Sequence, residues 1–274
     1  MGRSLRIVRR HRVGAVVLRY FYLLRGNPAR AVPLFLWVVI DMVLWGFITL
    51  YLNTVSSSGF DFVPVLLGAV LLWDFFIRVM QGVTITFFED VWSHNFLNIF
   101  ATPISISEYV SGLVLSSIAT SSIGLLVMLA VAGMAFGLSL SIYGLMLAPF
   151  LLILFLFGIA LGIFGSAVVL RLGPASEWLI WPIPAIISPF AGVFYPVSTL
   201  PHWMQVVSYL LPPSYVFEGM RTILSGGGFS KSELLWGGGL AALDVVLACW
   251  FFTRIYRHAV RSGLIARYSA ESVS

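Results

Sequence analysis

Charge is the scarcest property of this 274-residue chain, because Asp, Glu, Lys and Arg together make up only 10% of it. A soluble domain carries about 25% charged residues, whereas 59% of this chain is hydrophobic. A soluble fold of this length could not hide so much apolar surface, so lipid is the expected solvent. The composition excludes an ordinary soluble domain and predicts an all-α, polytopic membrane protein.

Cysteine and lysine are nearly absent as well, with Cys249 and Lys231 as the only examples. One cysteine excludes an internal disulfide and a multi-cysteine metal site. A P-loop requires the order Gly-Lys-Ser/Thr, but Ser230 precedes Lys231 here, so ATP hydrolysis by that route is excluded. The four histidines lack metal-ligand spacing, and no G-x-S-x-G nucleophile motif is present. We expect no catalytic residue, metal or cofactor in this chain.

What the chain does contain is a strongly uneven distribution of arginine. A helical reading gives six apolar stretches that are long enough to cross a bilayer. Of the 16 basic residues, 14 lie on one side of the resulting topology, and only Arg221 and Lys231 lie on the other. Positive loops stay in the cytoplasm, so we expect a multi-pass inner-membrane protein with both termini cytoplasmic and no cleavable signal peptide. The predicted spans are 32–52, 62–83, 109–136, 143–170, a proline-interrupted fifth from Ser176, and 234–255.

The basic N-terminal segment has a helical pattern of its own. Apolar residues recur at three- and four-residue steps through residues 4–24, and Gly26, Asn27 and Pro28 end the pattern. This predicts an amphipathic helix on the inner membrane surface, where its arginines meet anionic lipid headgroups rather than nucleic acid. A disordered basic tail is the alternative.

Asp41, Asp74, Arg78 and Asp244 are charged residues well inside the predicted spans. Asp74 and Arg78 are four residues apart with the acid first, which is the favourable order for a neutralised pair on one helix face. Asp41 and Asp244 have no obvious local partner and could face a polar lumen. Scattered acids do not make a proton relay, so ion-coupled transport is an open but poorly supported alternative.

A second pattern inside the spans consists of small residues. Gly158, Gly162, Gly165 and Ser166 lie along one face of the fourth span. Small faces allow helices to approach closely. The sequence leaves open whether the partner is another span of the same chain or a second copy.

The segment between the second and third spans gives the strongest local signal. Phe88, Val91, Trp92, Phe96 and Ile99 form an apolar face at helical spacing, with acidic residues at its start and no basic ones. Ser105 and Glu108 then have the spacing of a capping box that begins the third span. This predicts a short cytoplasmic amphipathic helix that contacts a protein partner rather than lipid.

Two blocks of sequence resemble a known family. They are FFEDVWSHNFLNIFATPISISEYVSG at 87–112 and SPFAGVFYPVSTLPHWMQVVSYLLPPSYVFEGMR at 188–221. Together they resemble the permease subunits of ABC exporters of the ABC-2 type, and the resemblance covers residues 1–274 as one transmembrane domain. Within that family the chain is most similar to drug, nodulation-factor and polysaccharide exporters.

The resemblance implies roles for particular segments. Residues 4–24 become the interface helix, 87–102 the coupling helix that docks into a separate ATPase subunit, and 196–228 a re-entrant outer region before the sixth span. The residues implied for ATPase coupling are Glu89, Asp90, Trp92, Asn95, Phe96 and Ile99; for the interface helix, Arg6, Arg9 and Arg10; and for the outer gate, Phe194, Tyr195, Pro196, Glu218 and Arg221.

The resemblance also implies partners. Two ATPase subunits would bind ATP and Mg, and a second permease, as a homodimer, would enclose the path of an amphipathic, lipid-like, drug or glycan-type cargo. Two rival functions use no ATPase for transport. One is an ion-coupled transporter or channel, and the other is a membrane scaffold that transports nothing.

Overall fold

A computed structural model describes residues 2–26, 28–56, 61–93, 95–228 and 231–262. Within these ranges, the side chains of 2–10, 28–31, 33–35, 96–97, 100, 140 and 146 are not described. The described residues form an all-helical protein without a β-strand, as the composition predicts. The α-helices are α1 (Gly2–Gly26), α2 (Pro28–Val55), α3 (Gly68–Trp92), α4 (Phe96–Ala101), α5 (Ile106–Phe136), α6 (Leu147–Leu172), α7 (Ile183–Ala191), α8 (His202–Ser208), α9 (Pro212–Leu224) and α10 (Lys231–Arg261).

Five helical segments among the described residues are long and apolar enough to cross a membrane. They comprise α2, α3 with the π-helical turn Val63–Leu67 before it, α5, α6 and α10. The chain is therefore a multi-pass membrane protein. The predicted fifth of six spans is not among these helices, because the chain there is broken into a 3₁₀ helix, Pro174–Leu179, and the nine-residue α7.

Prolines and a glycine account for that break. Pro182 caps the start of α7, Pro184 lies in its first turn, and Gly192 ends it with a φ of 63°. Proline is tolerated in a first turn because its missing N–H would have no helical partner there. The left-handed conformation at Gly192 stops the helix, since a side chain is disfavoured at positive φ.

α3 lies at the centre of the bundle, with α5 and α6 packed along it. α10 packs against α6 and α9, α2 packs against α5, and α1 crosses the first turns of α5. α3 is the most buried of the five membrane-spanning segments. α2 and α10 keep much of their surface exposed, which leaves them free to face lipid or another subunit.

The small-residue face of α6 packs within the chain. A Cβ atom at Gly158 would lie 2.9 Å from Val79 Cβ, and one at Gly162 would lie 2.6 Å from Val83 Cβ. Residue numbers increase in the same direction on both helices, because Gly158 meets Val79 and Gly162 meets Val83. α3 and α6 therefore run parallel, and the small residues let their backbones approach closely. The described structure thus assigns the glycines to contact between α6 and α3.

The predicted boundary between the second span and the short cytoplasmic helix differs from the boundary in the structure. No separate helix begins at Phe87, because α3 continues unbroken through Trp92 and the short helix is only Phe96–Ala101. Phe87 and Phe88 are fully buried, and Phe87 packs edge-on against Phe252 of α10. No glycine or proline lies between Val83 and Trp92, so nothing in the sequence breaks the helix there. Burial of the two rings then stabilises this part of α3.

The start of α5 follows its sequence signal. Ser105 Oγ accepts a hydrogen bond from the Glu108 backbone N–H, and Glu108 Oε2 accepts one of 2.8 Å from the Ser105 N–H. This is the reciprocal arrangement of a capping box. The predicted capping box is confirmed, and it fixes where the chain turns from α4 into α5.

Candidate functional site

A buried cluster joins α1 to the ends of α3 and α5. Arg19 of α1 forms an ion pair with Asp90, which lies in the last turn of α3. The hydroxyl of Tyr109, in the first turn of α5, donates a 2.7 Å hydrogen bond to Asp90 Oδ2. Asp90 is 1% exposed and Tyr109 is fully buried. We call Arg19, Asp90 and Tyr109 the junction cluster.

Electrostatics explains why this cluster is held so deep in the protein. Burial lowers the pKa of Arg19, while the nearby Tyr109 and Glu89 act in the opposite direction. An arginine remains charged at any physiological pH, so it requires an anion beside it when water is removed. Asp90 supplies that anion, and Tyr109 donates a hydrogen bond to its Oδ2 atom.

A second contact fixes α1 to the start of α5. Arg12 Nη1 lies 3.6 Å from Glu108 Oε2, the same carboxylate that completes the capping box. The Arg12 side chain is 35% exposed and Glu108 is 6% exposed, against 29% for Arg19 and 1% for Asp90, so the two pairs differ little in solvation. Two turns of α1 are thus attached to the rest of the bundle at positions seven residues apart.

A small surface lies beside the junction cluster, at the turn between α3 and α5. Asn98 Nδ2 donates a 3.0 Å hydrogen bond to Asn95 Oδ1, and both amides lie on α4 or directly before it. Ile99 packs inward and is 9% exposed. A groove of about 290 Å³ runs between α4, α1 and α5, and its lining includes Val16, Asn98 and Ile99. We call the described residues 92, 93 and 95–102 the turn surface.

The turn surface is also connected to the chain that follows α6. Trp92 Nε1 donates a 2.8 Å hydrogen bond to Glu177 Oε2 in the 3₁₀ helix Pro174–Leu179. Trp92 nevertheless keeps 46% of its surface exposed. An aromatic ring that is both anchored and accessible is typical of a contact site for a partner.

The residues proposed for ATPase coupling therefore divide into two sets. Trp92, Asn95 and Ile99 lie on the turn surface, whereas Glu89 and Asp90 are buried within α3 at 7% and 1% exposure. Glu89 and Asp90 are therefore not the exposed first turn of a separate helix, as the sequence predicted, but buried residues of α3. The side chains of Arg6, Arg9, Arg10 and Phe96 lie outside the described part of the structure.

The charged residues within the spans are arranged differently from the predicted pair. Asp74 and Arg78 line one cavity together with Asp41 of α2, but the described structure has no ion pair between Asp74 and Arg78. Asp74 Oδ2 and Arg78 Nε are buried without a hydrogen-bond partner among the described residues. Asp244 of α10 is separate from them and lines an apolar groove with Phe157 and Trp250.

The residues predicted for an outer gate meet at the opposite end of the bundle. Glu218 Oε1 accepts hydrogen bonds from the Val197 N–H at 2.6 Å and from Arg221 Nη2 at 3.0 Å. Phe194 stacks on Trp45 of α2 with ring centroids 4.9 Å apart. Further along the same loop, the Tyr195 hydroxyl donates to the Pro189 carbonyl and Pro196 precedes the 3₁₀ helix Val197–Thr199.

Comparison with known proteins identifies the family. A family model described as "ABC-2 type transporter" matches residues 16–225, which is most of the chain. The chain belongs to the ABC-2 type transporter family. A comparison with curated proteins gives no match.

The matched range covers the features that distinguish this ABC-2 chain. It contains the Arg19 and Tyr109 ends of the junction cluster, the turn surface and the outer loop around Glu218. α10 lies beyond it. The structural sites and the family assignment therefore concern the same part of the chain.

Several contacts in this ABC-2 chain had no local signal in the sequence. Arg19 meets Asp90 across 71 positions and Trp92 meets Glu177 across 85. Arg19 resembled any other basic residue of α1, and Glu177 was one acid in a proline-rich segment. No periodicity or short motif in a single sequence connects residues that are so far apart along the chain.

Proposed function

We propose that this chain is the membrane-spanning permease subunit of an ATP-driven exporter, working with two copies of a separate ABC ATPase as a homodimer of permeases. ATP and Mg bind in the ATPase, and an amphipathic cargo leaves through the permeases. Membership of the ABC-2 family over residues 16–225 is the observation that carries this proposal. The chain itself contributes the membrane path and the surface that receives movement from the ATPase.

The proposal includes six crossings and two cytoplasmic termini. Glu177, after α6, contacts Trp92 at the far end of α3, whereas Val197 contacts Glu218 of α9. α9 packs on the first turn of α6, where Gly219 meets Phe150. The stretch from Glu177 to Val197 thus extends from one end of the bundle to the other, as a broken fifth crossing would.

The arginine distribution gives that arrangement its orientation. The end of the bundle with Trp92 and Glu177 is also the end with α1 and its arginines, and positive segments remain in the cytoplasm. The α8 and α9 helices then lie on the outer side as the re-entrant region. Helices of 7 and 13 residues are too short to cross a bilayer.

Contacts of the turn surface support its role as the ATPase docking site. It follows the last turn of α3, whose Asp90 contacts α1 and α5, and its own Trp92 is hydrogen-bonded to Glu177. A push on α4 would therefore reach several helices at once. In this proposal, Trp92, Asn95 and Asn98 touch the ATPase, and Asp90 keeps α1 aligned beside them.

Cysteine crosslinking tests the proposal directly. In a Cys249→Ala background, Asn98→Cys is placed on the turn surface, and Leu145→Cys, whose native side chain is 89% exposed at the other end of the bundle, is the control. Membranes from the native cell are treated with a short thiol-to-amine crosslinker. We expect Asn98→Cys, and not Leu145→Cys, to capture an ABC ATPase identified by mass spectrometry. Equal capture by both variants, or no ATPase with Asn98→Cys, would show that the docking proposal is wrong.

The carboxylates inside the spans favour one competing function, which is ion-coupled transport. That function predicts cargo flux in vesicles containing the permease alone, driven by an ion gradient and lost in Asp74→Asn. Export through the proposed complex instead requires ATP and the ATPase. Flux measured in proteoliposomes with and without the ATPase separates the two.

A further inference from the structure

The cavity between α2 and α3 contains more acidic groups than basic ones. It has a volume of about 190 Å³, and its lining includes Trp37, Asp41, Asp74, Arg78 and Gln81. Trp37 and Asp41 are four residues apart on α2, while Asp74, Arg78 and Gln81 share a face of α3. Two carboxyl groups therefore share the cavity with one guanidinium group. With both carboxyls ionised, the cluster is one positive charge short of neutrality.

Packing against α5 helps to hold Arg78 in place. It is 5% exposed, and a Cβ atom at Gly124 of α5 would lie 3.3 Å from both Arg78 Cγ and Arg78 Cδ. The missing side chain at Gly124 thus makes room for the stem of the arginine. Arg78 Nε has no hydrogen-bond partner among the described residues. Arg78 still lies close enough to Asp74 to interact with it electrostatically, so one guanidinium group faces two carboxyl groups in this cavity.

Asp74 is the second unsatisfied group in the cavity. Its Oδ2 atom is buried and accepts no hydrogen bond within the described structure. A buried carboxylate is costly in a membrane unless a donor or a cation accompanies it. The chemistry that satisfies such an atom is a cationic donor such as a protonated amine.

Trp37 adds an aromatic surface at the mouth of the same cavity. It is 67% exposed, whereas Val38 beside it is 4% exposed. Tryptophan is the most favourable side chain for a cation–π contact. Carboxylates together with an accessible indole match an alkylammonium group better than they match an anion or an uncharged sugar.

The volume of the cavity indicates a cationic group larger than a proton or a hydronium ion. A water molecule occupies about 30 Å³ in the liquid, so the cavity holds a group several times larger than a proton or one water. Asp41 lies at the centre of α2 but close to the start of the apolar span Leu36–Val55. A lipid headgroup and a molecule in transit both reach this depth, so the experiment has to separate them.

We propose that the cavity between α2 and α3 binds the protonated amine of an amphipathic cargo, with Asp41 and Asp74 as carboxylate partners and Trp37 at the mouth. The inference rests on the proposed export function and specifies the class of cargo. The apolar remainder of the molecule then lies along the exposed face of α2, which carries Leu44 and Phe47.

Photolabelling of the full chain in nanodiscs tests this assignment. The probe is a dodecylamine that carries a diazirine on its chain, and the matched control is the corresponding dodecanol. We expect the amine to label peptides around Trp37 and Gln81 about tenfold more than the alcohol does, which corresponds to roughly 1.4 kcal/mol. Unlabelled dodecylamine should compete. Equal labelling by the two probes in the unaltered chain overturns the proposal.

Variants then identify the carboxylates involved. Asp41→Asn and Asp74→Asn should each remove the preference for the amine, and Asp74→Glu should retain it. Asp244→Asn makes the same chemical change in a different groove and should leave the preference intact. If Asp244→Asn reduces the preference as much as Asp74→Asn does, the assignment to this cavity is wrong.

Lipid composition distinguishes a cargo from a headgroup. Labelling is repeated in nanodiscs with phosphatidylcholine alone and with added phosphatidylethanolamine, whose headgroup is a primary amine. Unchanged labelling supports a cargo, and suppression by phosphatidylethanolamine assigns the cavity to a lipid and overturns the proposal. None of these measurements needs the ATPase, so their failure leaves the export proposal to the crosslinking test.

Discussion

Trp92 and Glu177 are joined by a 2.8 Å hydrogen bond between the end of α3 and the 3₁₀ helix that follows α6. The bond connects the turn surface to the start of the broken stretch that leads to α7. It is formed by an indole that is still partly exposed, so water competes for the same atoms. This contact is therefore a sensitive point for the coupling of the two segments.

Glu177→Gln should loosen the 3₁₀ helix without unfolding the protein. Loss of the charged acceptor removes about 0.5–1.5 kcal/mol, so amide hydrogen exchange across residues 174–180 should become several-fold faster. Hydrogen exchange with mass spectrometry measures it. Trp178→Phe, at a ring that is 74% exposed, is the control and should change little. Equal effects of the two changes would contradict a specific role for the Trp92–Glu177 bond.

Asp90→Asn should destabilise the whole bundle. The change leaves Arg19 buried beside a neutral group, and breaking a buried ion pair costs about 3–5 kcal/mol. Thermal unfolding in detergent, followed by tryptophan fluorescence, should show a clearly lower Tm. Arg12→Gln leaves Glu108 with the hydrogen bond that it accepts from the Ser105 N–H, so this variant should lower Tm less than Asp90→Asn does.

A double-mutant cycle separates the ion pair from general damage at this site. Arg19→Met combined with Asp90→Asn should be more stable than the sum of the single changes predicts, because each single change leaves one charge unpaired and the double change leaves none. Strictly additive losses would mean that Arg19 and Asp90 are not coupled.

Gly162→Ala should destabilise the contact between α3 and α6. The new Cβ atom would lie 2.6 Å from Val83 Cβ and 2.9 Å from the Met80 carbonyl oxygen, so the helices must separate. Overpacking of this kind costs about 1–3 kcal/mol. Gly238→Ala in α10 meets nothing within 4 Å and should be neutral or stabilising by up to about 1 kcal/mol.

The same pair of variants also tests where the glycine face is used. If Gly162 packs only within the chain, its replacement lowers Tm while the size of the purified protein is unchanged. A loss of dimer in gel filtration, with an unaltered Tm, would instead place this face between two copies.

Glu218→Gln should release the outer loop. Glu218 Oε1 accepts from both the Val197 N–H and Arg221 Nη2, and hydrogen bonds to a charged group are worth about 1.5–3 kcal/mol. Exchange of the Val197 amide should accelerate at least tenfold in a fragment-resolved measurement. Lys231→Gln changes an exposed charge at the same end of the bundle and provides the control. An unaltered Val197 amide would exclude Glu218 as the residue that holds the loop.

The parts of the fold that could be predicted from sequence are those that local physics decides. Ser105 and Glu108 meet because a capping box needs only its own four residues. The apolar runs predict the long spans for the same reason, and the all-helical class follows from them. α1 is likewise confirmed as a helix over Gly2–Gly26, since its pattern needs no distant partner.

Predictions failed where a local pattern had two physical outcomes. Phe87, Phe88 and Val91 suit an exposed amphipathic helix and a buried extension of α3 equally well, and only contact with Phe252 decides for burial. The neutralised pair of Asp74 and Arg78 stays a prediction, since both residues line one cavity and Gly124 makes room for the stem of the arginine. Arg19 and Asp90 meet through tertiary packing alone, which no short window of sequence contains.

The glycine contacts of α6 have a mechanical consequence. Two helices whose backbones touch over successive turns have little freedom to slide or bend independently, because close-packed interiors transmit strain rather than absorb it. α4 follows the C-terminal end of α3, and α9 packs against the first turn of α6. The paired helices form a stiff unit between the two ends of the bundle, so in the proposed mechanism a displacement at the turn surface would be transmitted to the loop around Glu218.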